Sequence, residues 1–202
     1  MFFIKKVLLL AALCCLSQPG LASSILKVNI QQLVNQAESV FEGEVVATTP
    51  EMNADGSIYT YVDFLVLDVL SGNTNVGETI TLRFTGGTVN GLTLDMGSII
   101  PQTGEHGVYF IESNSTPLIN PLYGWSQGHY RILTNGNIIA GNNQVVVKVG
   151  ATDHNTQGSK LKLSTGIASG ITTLPPQKVN SVPLSPPISL YEFKTLIKDM
   201  KQ

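Results

Sequence analysis

The run Ile58-Tyr59-Thr60-Tyr61-Val62-Asp63-Phe64-Leu65-Val66-Leu67-Asp68-Val69-Leu70 decides the fold class. It is rich in β-branched and aromatic residues, which fit a pleated surface better than a helix. Ile58, Thr60, Val62, Phe64 and Val66 share one face; Tyr59, Tyr61, Leu65, Leu67 and Val69 share the other with Asp63. Apolar residues on both faces predict a central or strongly curved strand. Just upstream, Val40 to Thr49 has the same character, and Asn53-Ala54-Asp55-Gly56 supplies turn chemistry between the two runs. Together they predict a long hairpin.

Towards the N-terminus, Ile30, Leu33, Val34 and Ala37 repeat at helical spacing behind Asn29, a plausible N-cap. Towards the C-terminus, Thr79 to Phe84 alternates, Gly86-Gly87 breaks the chain, and Val89 to Met96 predicts a further strand. Val108 to Glu112, His129 to Leu133, Ile138 to Ala140 and Gln144 to Val149 continue the meander, with Asn135-Gly136 as a two-residue hairpin signal. Residues 23–150 therefore predict a mainly β domain, a small antiparallel barrel or sandwich with a short N-terminal helix. Residues 151–188 are rich in Ser, Thr, Gly, Pro and Lys and predict a loose connector. Over 189–202, Ser189-x-x-Glu192 forms a capping box, and Leu190, Phe193, Leu196, Ile197 and Met200 make an apolar stripe. That stripe predicts a C-terminal amphipathic helix packed on the barrel.

A chain of 202 residues, 43% hydrophobic and 13% charged, is sized for one domain, and wholesale disorder is excluded. Net charge of −2 with a pI near 5.9 argues against a nucleic-acid partner. Lys5 and Lys6, the apolar run Val7 to Leu16 and Gly20-Leu21-Ala22 read as a signal peptide over 1–22, cleaved between Ala22 and Ser23. The apolar run is too short to span a bilayer, which takes roughly 20 residues. Cys14 and Cys15 lie inside it without a convincing lipobox, so cleavage removes every cysteine and predicts a secreted or periplasmic protein that folds without disulfides. Charge is uneven: Glu38 to Glu112 holds eleven acids and one base, Arg83, whereas His129 to Gln202 holds eight bases and three acids. A basic C-terminal part lying against an acidic body is the favoured reading.

Gly124-Trp125-Ser126-Gln127-Gly128 matches the G-x-S-x-G nucleophile elbow. A strand pattern follows instead of a helix, and the downstream partners would be the adjacent Asp153 and His154, so a glycine turn is the preferred reading and a serine hydrolase using Ser126 the alternative. Glu51-x-Asn53-x-Asp55-Gly56 resembles the opening of a calcium loop, but Val62 stands where a bidentate Glu belongs. His106, His129 and His154 share no ligand spacing, so no metal site and no cofactor is expected. Glu42 and Glu44 share a strand face and read as solvated charges before acid/base groups. Tyr123, Trp125, Gln127 and Tyr130 surround the glycine turn and are the candidate contact residues for a partner, with a core cluster as the rival reading.

Ala37-Glu38-Ser39-Val40-Phe41-Glu42-Gly43-Glu44-Val45, then Val62 to Gly72, resembles the opening of a group of uncharacterised secreted bacterial proteins. Gly86-Gly87, Gly104-Glu105, Phe110 and Gly124-x-x-Gln127-Gly128 extend that resemblance over residues 37–133. The same opening is distantly similar to netrin-module proteins and metalloproteinase inhibitors, and this resemblance implies an OB-like five-stranded barrel with flanking helices. The inhibitor mechanism needs an N-terminal cysteine that chelates zinc, whereas Ser23 is the expected mature start; Ser71 also stands where the group has Lys. The expectation is an exported, non-enzymatic module that binds a protein or envelope component, with a loop-inserting protease inhibitor as a further alternative.

Overall fold

The computed structural model describes residues 26–149, 168–169, 171–174 and 186–201. The expected signal peptide, the Ala22/Ser23 cleavage site, Asp153, His154 and most of the expected connector lie outside the described residues. Helix α1 (Ile30–Gln36) starts where the Asn29 side chain accepts from the Gln32 N–H (2.7 Å) while Gln32 Oε1 accepts from the Asn29 N–H (3.0 Å). The two bonds form a capping box, and Ile30, Leu33 and Val34 are buried beneath it.

Ten strands follow: β1 (Ser39–Met52), β2 (Ile58–Ser71), β3 (Thr79–Thr85), β4 (Gly87–Val89), β5 (Leu92–Leu94), β6 (His106–Ile111), β7 (His129–Ile132), β8 (Ile138–Ile139), β9 (Val145–Val149) and β10 (Ile171–Leu174). Helix α2 (Leu190–Lys201) closes the described chain. Eight strands form one antiparallel sheet in the order β10-β9-β8-β7-β6-β1-β2-β3, and β4-β5 is a separate ribbon. β1 and β2 make the expected long hairpin, with register shifts between Val40 and Phe41, Glu42 and Gly43, and Val45 and Ala47. The extra residues are Leu70 and Leu67 on β2 and Val46 on β1, and such irregularities bend the sheet.

The hydrogen-bonded sheet does not close into a barrel among the described residues, because β3 and β10 stand at opposite ends of the strand order. The physical reason is that the sheet serves two cores, one on each face. Phe41, Val45, Val62, Phe64, Val66, Leu82, Phe84, Tyr109, Ile111 and Leu122 pack together inside the curl of β1-β2-β3-β6. Val40, Val108, Phe110, Tyr130, Ile138 and Val146 pack on the opposite face under Ile30, Leu33, Val34, Phe193 and Ile197 of the two helices. Alternation along β6 makes it the divide: Val108 and Phe110 face the helices, Tyr109 and Ile111 the curl.

Two expectations change locally. Val89 to Met96 is not one strand: Gly87–Val89 and Leu92–Leu94 form a ribbon folded at Asn90-Gly91, both at positive φ (51° and 79°), so the two-residue hairpin turn lies there. Asn135-Gly136 instead sits in a longer turn closed by Leu133 N–H to Asn137 O, with only Gly136 left-handed. Ile171–Leu174, within the stretch read as connector, pairs with β9 as an edge strand, and Ser169 bridges Asn29. Helix α2 is capped by Ser189 Oγ, which accepts from the Glu192 N–H (3.1 Å), and it buries Phe193 and Ile197.

Candidate functional site

Acids and bases meet where α2 crosses the sheet. Glu42 lies on β1 at a bulge, with only 10% of its side chain exposed. Its Oε1 is 2.8 Å from His106 Nε2 and its Oε2 is 2.6 Å from Lys194 Nζ. Lys194 also reaches Asp68 Oδ2 (2.8 Å), and Lys198 lies 3.3 Å from the same oxygen. Burial works against the charge on Asp68, but hydrogen bonds from Lys194 and Lys198 outweigh it and hold the carboxyl below its ordinary range. Burial likewise opposes the Lys194 ammonium, but Asp68 and Glu42 outweigh it and push that group above the usual lysine value. A carboxylate with both oxygens engaged by neighbours is a fastener for the helix, not a free base. This is where the basic C-terminal part meets the acidic body.

The linkage gives a signed expectation. The depressed Asp68 contributes stability that is present above the unfolded carboxylate range and lost as pH falls through its lower folded value; the raised Lys194 contributes stability present below the ordinary lysine range and lost as pH rises past it. Lys194→Met should cost about 1 kcal/mol at neutral pH, a typical value for partly exposed ion pairs. Urea midpoints measured against pH should show the difference from the parent shrinking as acid protonates Asp68. A difference that stays constant down to the acid limb would remove Lys194 from the fastening.

A second pair is more deeply placed. His129 Nε2 is 2.5 Å from Glu105 Oε1, and the imidazole, 2% exposed, stacks on Tyr109 with ring centroids 5.2 Å apart. Burial, with the Glu105 carboxylate 3.4 Å from its oxygen, drives the Tyr109 hydroxyl far above its ordinary value, so it stays protonated. Neither His129 nor Glu105 lines the two clefts beside β3. The pair links the turn before β6 to the start of β7. Among the described residues, no three His, Cys, Asp or Glu side chains gather as a metal-ligand group. Asp55 Oδ1 accepts from the Ser57 N–H (2.9 Å), a local turn bond within the β1–β2 loop; that contact holds its carboxyl below the usual range.

The expected contact residues divide. Gln127 is buried, its Oε1 accepting from the Val28 N–H (3.0 Å) and its Nε2 donating to Leu26 O (3.0 Å) and Gly124 O (3.2 Å). Tyr130 is buried between Phe110 and Phe193. Tyr123 and Trp125 are half-buried at the surface, and Trp125 has φ 59°. Ser126 sits in the 3-10 turn Trp125–Gly128, which leads into β7, and the nearby His129 imidazole is engaged by Glu105.

A concave surface lies beside β3. A cleft of about 370 Å³ is lined by Glu38, Asn73, Thr74, Glu78 and residues 79–82, and a neighbouring one of about 180 Å³ by residues 81–83 and the loop 113–118 with Pro121. Shared lining at Thr81, Leu82 and Asn114 makes them one groove between the sheet edge and that loop. The loop is anchored by Asn114 N–H to Glu38 Oε2 (3.2 Å), Thr85 N–H to Ile119 O (2.8 Å) and Glu112 N–H to Pro121 O (2.7 Å). Sequence reading missed this site because it contains no reactive side chain; the only trace was a short alternating run that no further strand had to cover.

Backbone parity fixes what the groove offers. Thr85 N–H points outward to Ile119 O, whereas Gly86 N–H donates to Ile58 O (2.8 Å) and Glu78 O accepts from the Val66 N–H (2.9 Å). With no register shift between β2 and β3, even positions face β2 and odd positions face away. The N–H and C=O groups of Thr79, Thr81 and Arg83 thus open on the groove, and among the described residues they have no hydrogen-bond partner. No described helix is long and apolar enough to cross a membrane. Comparison with known protein families, curated proteins and solved structures returns no match.

Proposed function

We propose that this chain is an exported, non-enzymatic interaction module that contacts a protein or envelope component through the groove beside β3. Export rests on the signal-peptide pattern of residues 1–22. The observation that carries the contact surface is the row of backbone groups at Thr79, Thr81 and Arg83 that no other described residue pairs, facing a lined cleft. Natural proteins shield such edges, so an edge left open beside a built groove is a recognition surface. Among the described residues, Glu42, Glu105, His106 and His129 are engaged with one another or with α2, which supports a binding role. The resemblance of residues 37–133 is to a group of uncharacterised secreted bacterial proteins, and its opening alone is distantly similar to netrin-module proteins.

A photo-crosslinking amino acid at Thr116, on the exposed groove wall, should give a discrete adduct in envelope extract of the producing cell. The same probe at Asn135, on the exposed hairpin after β7, should not. No adduct at Thr116, or identical adducts at both positions, would overturn the proposal. Fluorophosphonate labelling tests the hydrolase reading directly. No label is expected, and labelling abolished by Ser126→Ala would replace the binding module with an enzyme.

A further inference from the structure

Resting on the interaction-module reading, we infer that the groove takes an extended segment of a partner protein bearing basic side chains, added to the sheet as a strand beside β3. The backbone chemistry sets the conformation of the occupant. Thr79, Thr81 and Arg83 present alternating donors and acceptors at the spacing of a ladder, and only an extended chain matches them. The strand itself, Thr79-Ile80-Thr81-Leu82-Arg83-Phe84-Thr85, has high β-propensity, no Pro and no Gly. Unshielded strands of this composition pair readily with another chain. At the opposite edge, β10 has only four residues, the short edge that discourages pairing.

Charge selects the side chains of the occupant. Glu38 and Glu78, both exposed, line the end of the groove beside Thr79. Each already accepts a hydrogen bond from Asn114 or Asn75, which positions the carboxylate without neutralising it. A lysine or arginine on the added strand would meet both. Leu82 also lines the groove, so alternate apolar residues of the occupant continue the buried face of β3. A second copy of this chain fits less well. Its own β3 carries the same loop 113–121, bonded at Thr85 N–H to Ile119 O, so an antiparallel pair of copies would have to fit two such loops along one shared edge.

The test uses the folded protein and fluorescein-labelled synthetic peptides of about seven residues: one alternating lysine with valine and threonine, its glutamate counterpart, and the lysine peptide with alternate amides N-methylated on the pairing side. Fluorescence anisotropy should show saturable, salt-sensitive binding of the lysine peptide, weakened about tenfold or more by N-methylation and several-fold by Glu38→Gln with Glu78→Gln. Thr81→Pro removes one outward donor and leaves the backbone ladder to β2 intact, at the loss of the Thr81 Oγ1 bond to Asp63 Oδ1 (2.6 Å), and should weaken binding at least about tenfold. If Thr81→Pro lowers the melting midpoint severely, the N-methylated peptide on the parent protein carries the same test. Equal binding of the N-methylated or glutamate peptide overturns the inference. So does a concentration-dependent dimer that Thr81→Pro abolishes, which would assign the edge to a second copy. Adducts at Thr116 with no binding of the lysine peptide refute this occupant alone; loss of both refutes the interaction-module reading as well.

Discussion

Phe193→Ala should lower the stability of the chain by about 3–5 kcal/mol, the range for removing a fully buried aromatic ring. Phe193 has no exposed surface, its ring centroid is 5.2 Å from that of Tyr130, and it is packed with Ile30, Leu33 and Val146. The loss has a second component. A helix of 12 residues is marginal by itself, so α2 remains helical only while it is docked. Undocking withdraws Lys194 from Glu42 and Asp68, and it withdraws Lys201, whose Nζ donates to Val34 O (2.9 Å) at the end of α1. Urea denaturation followed by tryptophan fluorescence and far-ultraviolet circular dichroism measures the change. Tyr191→Ala, two positions earlier in the chain at a site 79% exposed, should shift stability by less than about 0.5 kcal/mol and serves as the control. Similar effects from the two substitutions would mean that α2 is not held by its apolar stripe.

The second large effect belongs to the glycine turn. A Cβ placed on Gly128 would lie 2.4 Å from Tyr123 O and 3.3 Å from Phe110 O, and Tyr123 N–H already donates to Phe110 O (2.9 Å). Both obstructing groups are backbone, so no side chain can swing aside, and Gly128→Ala must separate the turn from β6. About 2–3 kcal/mol is expected, at the upper end of overpacking costs. Gly136→Ala provides the contrast, since open space surrounds that position and only its φ of 81° is strained, a cost of about 1 kcal/mol. Ser126→Ala should stay within about 0.5 kcal/mol. In a nucleophile elbow the serine carries the chemistry and its glycines make room for it. Here the ordering should be Gly128, then Gly136, then Ser126. Thermal melts of the three variants decide it, and equal midpoints for Gly128→Ala and Ser126→Ala would refute the close-approach account.

Much of the fold was legible because local pattern and tertiary packing agree. The alternation from Ile58 to Val66 survives as a buried face, and α1 begins at the Asn29 cap that its sequence advertises. What pattern could not convey was the partner of each face. Period-two alternation in β6 is equally compatible with a barrel lumen and with a sheet between two cores, and only the docking of α2 decides between them. Ile171–Leu174 has no periodicity of its own and becomes a strand because β9 offers it an edge. Glu42 read as a solvated charge since nothing nearby in sequence neutralises it; Lys194 lies 152 residues away. The aromatic cluster at the glycine turn was visible, whereas its division into buried Gln127 and Tyr130 and surface Tyr123 and Trp125 was not.

The N-terminal segment depends for its footing on residues far down the chain. Val28 waits for Gln127, 99 positions on, Asn29 for Ser169, and Gln31 for the carbonyl of Met200, 169 positions on. A ribosome delivers those partners last. Throughout synthesis the β1–β2 hairpin can form from neighbours in sequence, while the stretch ahead of it lacks these distant partners until the final helix emerges. Contacts of such long range also slow folding once the chain is complete. The same closure that joins the two ends in the native state therefore leaves unpaired, for the longest time, the end that is made first.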